Sequence, residues 1–100
     1  MNYDISLNQD ILKDLGFKLR QQRLQLHLTT KELSLKSGIS VRTLSGFERG
    51  EKNISFVNFI ELLRALRLLN NLQDLIPEVP LISPLEMMER EAKRPKRIKK

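Results

Sequence analysis

Two helix starts separated by a glycine constrain this chain more than any other feature of its sequence. Thr29 is followed three residues later by Glu32, the spacing of a capping box, and Ser40 directly precedes a second helical pattern. Gly38 lies between them, where a residue in the left-handed conformation commonly ends a helix. We therefore predict two short helices joined by a tight turn over residues 29–50, which is the outline of a helix-turn-helix.

The second of these helices has an apolar face and a polar face. Leu44 and Phe47 are three residues apart and should face the core, with Val41 at the start of the helix. In a helix-turn-helix the second helix lies in the major groove of DNA, and its N-terminal residues meet the base edges. The polar face therefore predicts a base-reading surface, which carries Arg42, Thr43, Ser45, Gly46 and Arg49. Val41 has two interpretations, packing on a thymine methyl group or packing on the core.

The sequence LTTKELSLKSGISVRTLSGFERG, followed by NISFVNFIELLRAL, resembles Cro/Xre-type regulators of the lambda-repressor-like superfamily and, among them, the HipB-type antitoxin regulators. This resemblance covers about residues 12–76 and implies an all-α, five-helix DNA-binding domain. It places the base-reading positions at Ser40, Val41, Arg42, Ser45 and Gly46, and the phosphate-binding positions at Thr29, Thr30, Arg49, Lys52 and Asn53. Thr43 on the polar face and Lys31 beside Thr30 complete the predicted DNA-contacting set.

Several residues within the motif need a compensating contact. Glu48 is negative on a helix expected to meet phosphates, and the resemblance implies that it is buried and paired with Arg23. Gly46 in mid-helix costs about 1 kcal/mol relative to alanine. Close approach to DNA and crowding inside the protein are both possible reasons for it.

His27 stands where the family commonly has glycine at the end of helix one, so we expect a strained or altered helix end. Thr30 replaces the usual glutamine, which weakens one phosphate contact.

Apolar periodicity predicts three further helices. They are one over residues 7–26 capped by Ser6 or Asn8, one after Ser55, and a short one over residues 72–76 capped by Asn70 or Asn71. In the resembled family the last helix commonly contributes to a dimer interface, and a small helical core often depends on a partner subunit. The candidate dimer interface is Leu68, Leu69, Leu72, Leu75 and Ile76. The alternative is that these residues complete the core of the monomer.

Residues 1–76 are the predicted DNA-binding domain, and residues 77–100 are a proline-interrupted linker with a basic tail. The net charge is +6, and Lys93–Lys100 hold six basic residues and no acidic one. Such a tail either adds salt-sensitive affinity for DNA or is simply solvated. Residues 84–92 can form two helical turns, but isolated helices of this length are marginal in water. We therefore expect disorder in the free protein, with folding on a partner through Leu85, Met87 and Met88 as one possible use.

The composition excludes several classes of function. The chain has no cysteine and one histidine, His27, so disulfides, thiol catalysis and cysteine- or histidine-paired metal sites are not expected. It also lacks a glycine-rich phosphate loop. We expect no enzymatic activity, no metal and no cofactor. Without a signal-peptide pattern or a run of about 18 apolar residues, a soluble cytoplasmic protein is expected.

These patterns predict a homodimeric repressor that binds a palindromic operator. The resemblance implies that the repressed operon is its own and encodes a HipA-like serine/threonine kinase toxin. The antitoxin is then expected to associate with this toxin or with the toxin's associated subunit. Two alternatives remain open. One is a protein-binding antitoxin or assembly subunit that does not read DNA, and the other is a prophage-type repressor. Salt-dependent binding to upstream DNA would exclude the first alternative. The identity of the neighbouring genes separates the second alternative from an antitoxin.

Overall fold

The computed structural model describes residues 1–81 and 83–93. Within these residues the regular elements are all helical, which confirms the predicted all-α fold; there are five α-helices, but the fifth is not the segment that was predicted. The α-helices are α1 (Asn8–Gln25), α2 (Thr30–Ser37), α3 (Val41–Glu48), α4 (Phe56–Ala65) and α5 (Pro84–Lys93). Two short 3-10 helices flank the domain, one at Tyr3–Ile5 and the other at Leu69–Asp74.

The four helices α1, α2, α3 and α4 share one apolar core. α3 packs on α1 and on α2, and α2 packs in turn on α4. Phe47 of α3 meets Phe59 of α4 edge-to-face, with ring centroids 6.2 Å apart. The buried apolar residues are Leu19, Leu33, Ile39, Leu44, Phe47, Leu62, Leu63 and Leu66. Because Leu44 and Phe47 belong to this core, the orientation of α3 is set by its packing.

The predicted caps of the three central helices are confirmed. The Thr29 hydroxyl accepts from the Glu32 amide at 3.0 Å while the Thr29 amide donates to the Glu32 carboxylate at 2.9 Å, so both halves of the capping box are present. Ser40 and Ser55 each accept a hydrogen bond, at 3.1 Å, from the amide three residues later. Gly38 ends α2 with φ of 76°, in the left-handed region as predicted.

The predicted cap of α1 is wrong. Leu7 occupies the cap position and makes no side-chain cap hydrogen bond. The Ser6 hydroxyl instead donates to the Asn2 carbonyl at 2.6 Å, because Asn2 begins the 3-10 turn that precedes α1. Asn8 is the first residue of the helix rather than its cap.

The predicted fifth helix over residues 72–76 is also wrong. A 3-10 helix spans Leu69–Asp74 instead, and the residue before it, Leu68, makes no side-chain cap bond. Neither Asn70 nor Asn71 acts as the cap, and the Asn70 side chain accepts from Gln73 at 3.2 Å. Arg67, in the left-handed conformation, ends α4, and the segment after it takes the tighter 3-10 geometry that is common in short connecting pieces.

The leucine cluster proposed for the dimer interface divides in two. Leu68, Leu69 and Leu72 are half-buried against the core of their own chain. Leu75 and Ile76 are 64% and 78% exposed. The first three residues therefore complete the monomer core, and only the last two are left on the surface.

The C-terminal segment is helical where disorder was expected. Ser83 caps α5 by accepting from the Glu86 amide at 3.2 Å, and the Met87 amide donates to the Ser83 carbonyl at 3.0 Å. This cap supplies the start signal that the sequence interpretation overlooked. Residues 94–100, which hold most of the predicted basic tail, lie outside the described residues.

Two helices end on a residue in the left-handed conformation that is not glycine. His27 follows α1 with φ of 56°, and Arg67 follows α4 with φ of 61°. After each of them, the next amide turns back to the helix, Leu28 to the Arg23 carbonyl at 3.1 Å and Leu68 to the Leu63 carbonyl at 2.8 Å. This is the Schellman type of helix end, and the altered end predicted at His27 is confirmed.

Candidate nucleic-acid interface

α3 presents one face to the core and its N-terminal end to solvent. Leu44 is 1% exposed and Phe47 is 4% exposed. On the other side, Ser40, Val41 and Arg42 are exposed, and Thr43 and Ser45 are partly exposed. The Ser40 hydroxyl also contacts the Thr43 hydroxyl at 2.9 Å. The first turn of α3 therefore offers short polar side chains and one arginine to whatever approaches it.

An ion pair inside the domain fixes α3 to α1. The Arg23 guanidinium binds the Glu48 carboxylate through both oxygens, Nε to Oε2 at 2.8 Å and Nη2 to Oε1 at 3.0 Å. Nη1 donates to the Leu28 carbonyl at 2.8 Å. The two side chains are only 8% and 7% exposed. The structure thus brings together the two residues predicted to pair, and the acid at the end of α3 points away from the exposed face.

Gly16 permits this close crossing of α1 and α3, and the sequence interpretation missed it. A Cβ atom at Gly16 would lie 2.3 Å from the Phe47 carbonyl oxygen and 2.8 Å from that of Glu48. These are backbone atoms, which cannot rotate away. The backbone at the end of α3 therefore rests directly on α1. A glycine inside an otherwise helical stretch was the available signal, because it costs about 1 kcal/mol without a packing reason.

The N-terminus of α2 lies near Ser45 and Arg49, in the C-terminal part of α3 and just after it. The amides of Thr30 and Lys31 have no acceptor within the helix, as at any helix start. The Thr29 amide, which donates to the Glu32 carboxylate, lowers the pKa of Glu32, and the Thr29 hydroxyl contributes in the same direction. Lys31 is exposed and Thr30 is partly exposed. Free amides, a helix dipole and a lysine together favour an anion at this position.

A recess of about 560 Å³ joins the N-terminus of α2 to α1 and α3. Three predicted DNA-contacting residues, Thr30, Ser45 and Arg49, lie on its walls. Arg20 of α1 also lines it and was not in the predicted set. Arg20 lies one helical turn before Arg23, so the two arginines share a face of α1. That spacing was the signal for a second basic side chain at this recess.

Arg49 already has an acidic neighbour. Its Nε lies 3.0 Å from the Glu51 carboxylate, and the two side chains are 57% and 61% exposed. Exposed pairs of this kind are weak. A phosphate at the recess can therefore compete for Arg49, although Glu51 opposes the approach of any anion.

Gly46 does not belong to the exposed face on which it was placed. It is buried, and a Cβ atom there would lie 2.7 Å from Cγ and Cδ of Lys52. Of the two reasons considered for a glycine in mid-helix, the structure shows crowding inside the protein. Lys52 itself is exposed, so its ammonium group is free to extend beyond the covered glycine. Asn53, the last predicted phosphate contact, is exposed and lies beside a cleft between α1 and α4.

Within residues 1–81 and 83–93, no group of histidine, cysteine or carboxylate side chains is arranged to hold a metal ion. None of the helices in this part of the chain has the length and apolar character needed to cross a membrane.

A protein-family model described as helix-turn-helix matches residues 19–69, which is half of the chain. The chain belongs to the helix-turn-helix family. Its matched region is a DNA-binding domain of the Cro/C1 type, found in transcriptional regulators. A comparison with curated proteins finds no match. The matched span of this helix-turn-helix protein covers α2, α3 and α4 together with the second half of α1, and α5 lies beyond it.

Replacing Glu51 with glutamine is expected to tighten DNA binding about three- to tenfold at moderate salt, because it releases Arg49 and removes an anion beside the recess. Fluorescence anisotropy with a labelled duplex measures the change. Glu61→Gln is the matched control, since Glu61 also pairs with an exposed arginine, Arg64, at 3.1 Å, but on α4. Equal gains for both variants would attribute the effect to net charge and would contradict a specific role for Arg49.

Proposed function

We propose that this protein is a transcriptional repressor that binds a palindromic operator as a homodimer. Residues 40–49 of each copy enter successive major grooves, and occupation of the promoter excludes transcription. One observation carries the proposal. α3 buries Leu44 and Phe47 while it exposes Ser40, Val41 and Arg42 at its N-terminal end, and this is the end that meets base edges in a helix-turn-helix.

Base reading is assigned to the exposed first turn of α3. The Arg42 guanidinium can donate two hydrogen bonds to O6 and N7 of guanine. Val41 is 43% exposed, which leaves its methyl groups available to a thymine methyl. Thr43 and Ser45 are short hydroxyl side chains that suit either base edges or phosphates.

Backbone phosphates are assigned to the N-terminus of α2 and to the recess beside it. The amides of Thr30 and Lys31 supply donors at the positive end of a helix. Arg20 and Arg49 supply charge from the opposite wall of the recess. Phosphate contacts fix the orientation of a protein on the duplex, while base contacts give it specificity. The recess therefore supports the docking of α3 without reading sequence itself.

We further propose that the repressed operon is the protein's own and encodes a HipA-like serine/threonine kinase toxin, with this chain as the antitoxin. The support is the resemblance of residues 28–50 and 53–66 to HipB-type regulators. In this arrangement the same chain binds the operator and the kinase. The charge of the C-terminal tail, six basic residues over Lys93–Lys100, adds salt-sensitive affinity for the operator.

A gel-shift assay on the DNA upstream of the gene, repeated with the product of the neighbouring gene, tests both parts. Salt-dependent binding that is altered by a neighbouring kinase supports the full proposal. Binding to the neighbouring protein without binding to DNA would indicate a protein-binding antitoxin or an assembly subunit. Specific DNA binding among phage genes, with no kinase beside it, would indicate a prophage-type repressor.

Replacing Arg42 with alanine is expected to weaken operator binding by about 1–3 kcal/mol and binding to random duplexes by much less. The reason is the loss of a two-bond contact to one base. Anisotropy titrations on both duplexes measure the difference. Arg64→Ala is the control, because Arg64 is exposed on α4, away from α3. A loss of equal size on both duplexes would show that Arg42 contacts phosphate alone.

A further inference from the structure

α5 is an amphipathic helix that contributes no side chain to the core of the described residues. Its residues 84–92 are all exposed. Leu85, Met88 and Ala92 recur at three- and four-residue spacing and form one apolar stripe. The radius of gyration is 19.0 Å, against about 13 Å for a compact domain of this length. α5 therefore extends away from the domain with its apolar side uncovered.

The domain carries an apolar cleft that none of residues 1–81 and 83–93 fills. It measures about 300 Å³ and lies between α1 and α4, lined by Leu12, Leu15, Ile54, Phe56 and Phe59 among others. Phe56 is 61% exposed although it stacks on Phe59 at 6.2 Å. An exposed apolar cleft of this kind marks an interaction site.

The amphipathic helix α5 and the apolar cleft have complementary chemistry. An apolar stripe at helical spacing is the form in which a helix enters an apolar groove. Met88 is unbranched and adapts to irregular walls, including aromatic ones such as Phe56.

The linker between the domain and α5 favours docking of α5 on a second copy over docking on its own chain. Residues 75–83 join the 3-10 helix to α5 and can span about 30 Å when extended. Pro77 and Pro80 stiffen this segment, and prolines favour an extended path over a return to the domain of origin. Leu68, Leu69 and Leu72 are already used by the core of their own chain, so that cluster offers little to a dimer.

We propose that two copies of this chain exchange their α5 helices, each of which docks in the α1–α4 cleft of the other copy. The arrangement is reciprocal, with the same contact made twice, as a two-fold dimer requires. Of the predicted DNA-contacting residues only Asn53 lines the cleft, and Ser40, Val41 and Arg42 do not, so the exchange leaves the exposed first turn of α3 accessible. This inference concerns association between copies and holds whether or not the operator proposal does.

Cysteine cross-linking tests the exchange directly, because the chain has no cysteine of its own. Met88→Cys and Phe56→Cys are purified separately as full chains, mixed and oxidised. The expected product is a covalent heterodimer, identified by mass. Arg90→Cys replaces Met88→Cys as the control, since Arg90 lies on the opposite side of α5 from the apolar stripe. A cross-linked monomer from the Met88→Cys/Phe56→Cys double variant, with no heterodimer from the mixture, would overturn the exchange in favour of docking within one chain.

Sedimentation equilibrium supplies a second measurement. Met88→Glu is expected to weaken dimerisation about 100-fold, because a charge enters an apolar site twice in each dimer. Arg90→Ala should leave the dimer unchanged. Both substitutions lie outside the packed domain, so its helix content by circular dichroism should be retained. Dimerisation that is insensitive to Met88→Glu would overturn the proposal and would assign the stripe to a different protein, such as the kinase.

Discussion

Replacing Glu48 with alanine is expected to lower the free energy of unfolding by about 3–5 kcal/mol. The substitution leaves the Arg23 guanidinium buried, at 8% exposure, with only the Leu28 carbonyl as a partner. A buried charge that has lost its counter-ion is costly because its surroundings solvate it less well than bulk water does. Urea denaturation followed by circular dichroism measures the change in the midpoint.

The matched control is the exposed pair Arg64–Glu61, for which Glu61→Ala should cost less than about 1 kcal/mol. A double-mutant cycle then tests the coupling of Arg23 and Glu48. The loss in the double variant should be well below the sum of the single losses, since removing both charges leaves none stranded. Additive losses would contradict the pairing.

Replacing Gly16 with alanine is expected to destabilise the domain by about 3 kcal/mol, even though alanine is the better helix former. The new methyl group would fall 2.3 Å from the Phe47 carbonyl oxygen, so α1 and α3 would have to move apart. That movement also strains the Arg23–Glu48 contact beside it. Thermal unfolding of both proteins at equal concentration measures the loss.

Gly46→Ala, on α3, is the matched control for Gly16→Ala. Its methyl group would meet only the flexible stem of Lys52, at 2.7 Å from Cγ and Cδ. The lysine can rotate away, and the gain in helix propensity of about 1 kcal/mol offsets the remaining crowding. Gly46→Ala should therefore be near neutral. A neutral Gly16→Ala would show that α1 and α3 do not touch through their backbones.

The parts of the fold that sequence predicts well are those decided within a few residues. Thr29 and Glu32 cap α2, and Ser40 and Ser55 cap α3 and α4, because a cap needs only a side chain and an amide three positions away. The segment after α4 was wrongly predicted because apolar periodicity does not distinguish a 3-10 helix from a short α-helix, and Asn70 and Asn71 lie inside the 3-10 helix rather than before it.

The parts that sequence missed depend on which helices cross. Gly16 and Arg20 are on α1, and their roles arise from the neighbouring backbone and side chains of α3. The mid-helix glycine and the Arg20–Arg23 spacing are signals at these two positions, but neither identifies α3 as the neighbouring helix. The pairing of Arg23 with Glu48 was accessible because a family pattern and an awkward charge indicated it together. Glu51 was overlooked because its effect on Arg49 depends on the turn that follows α3.

His27 and Arg67 have a consequence for how this protein tolerates change. Each holds a left-handed backbone conformation that costs a non-glycine residue about 1 kcal/mol or more. Both lie at helix ends outside the predicted DNA-contacting set. Glycine at either position would relieve this strain without altering a contact of α3. Glycine substitutions at these two helix ends can therefore offset folding stability that is lost when the residues of the DNA-contacting surface change.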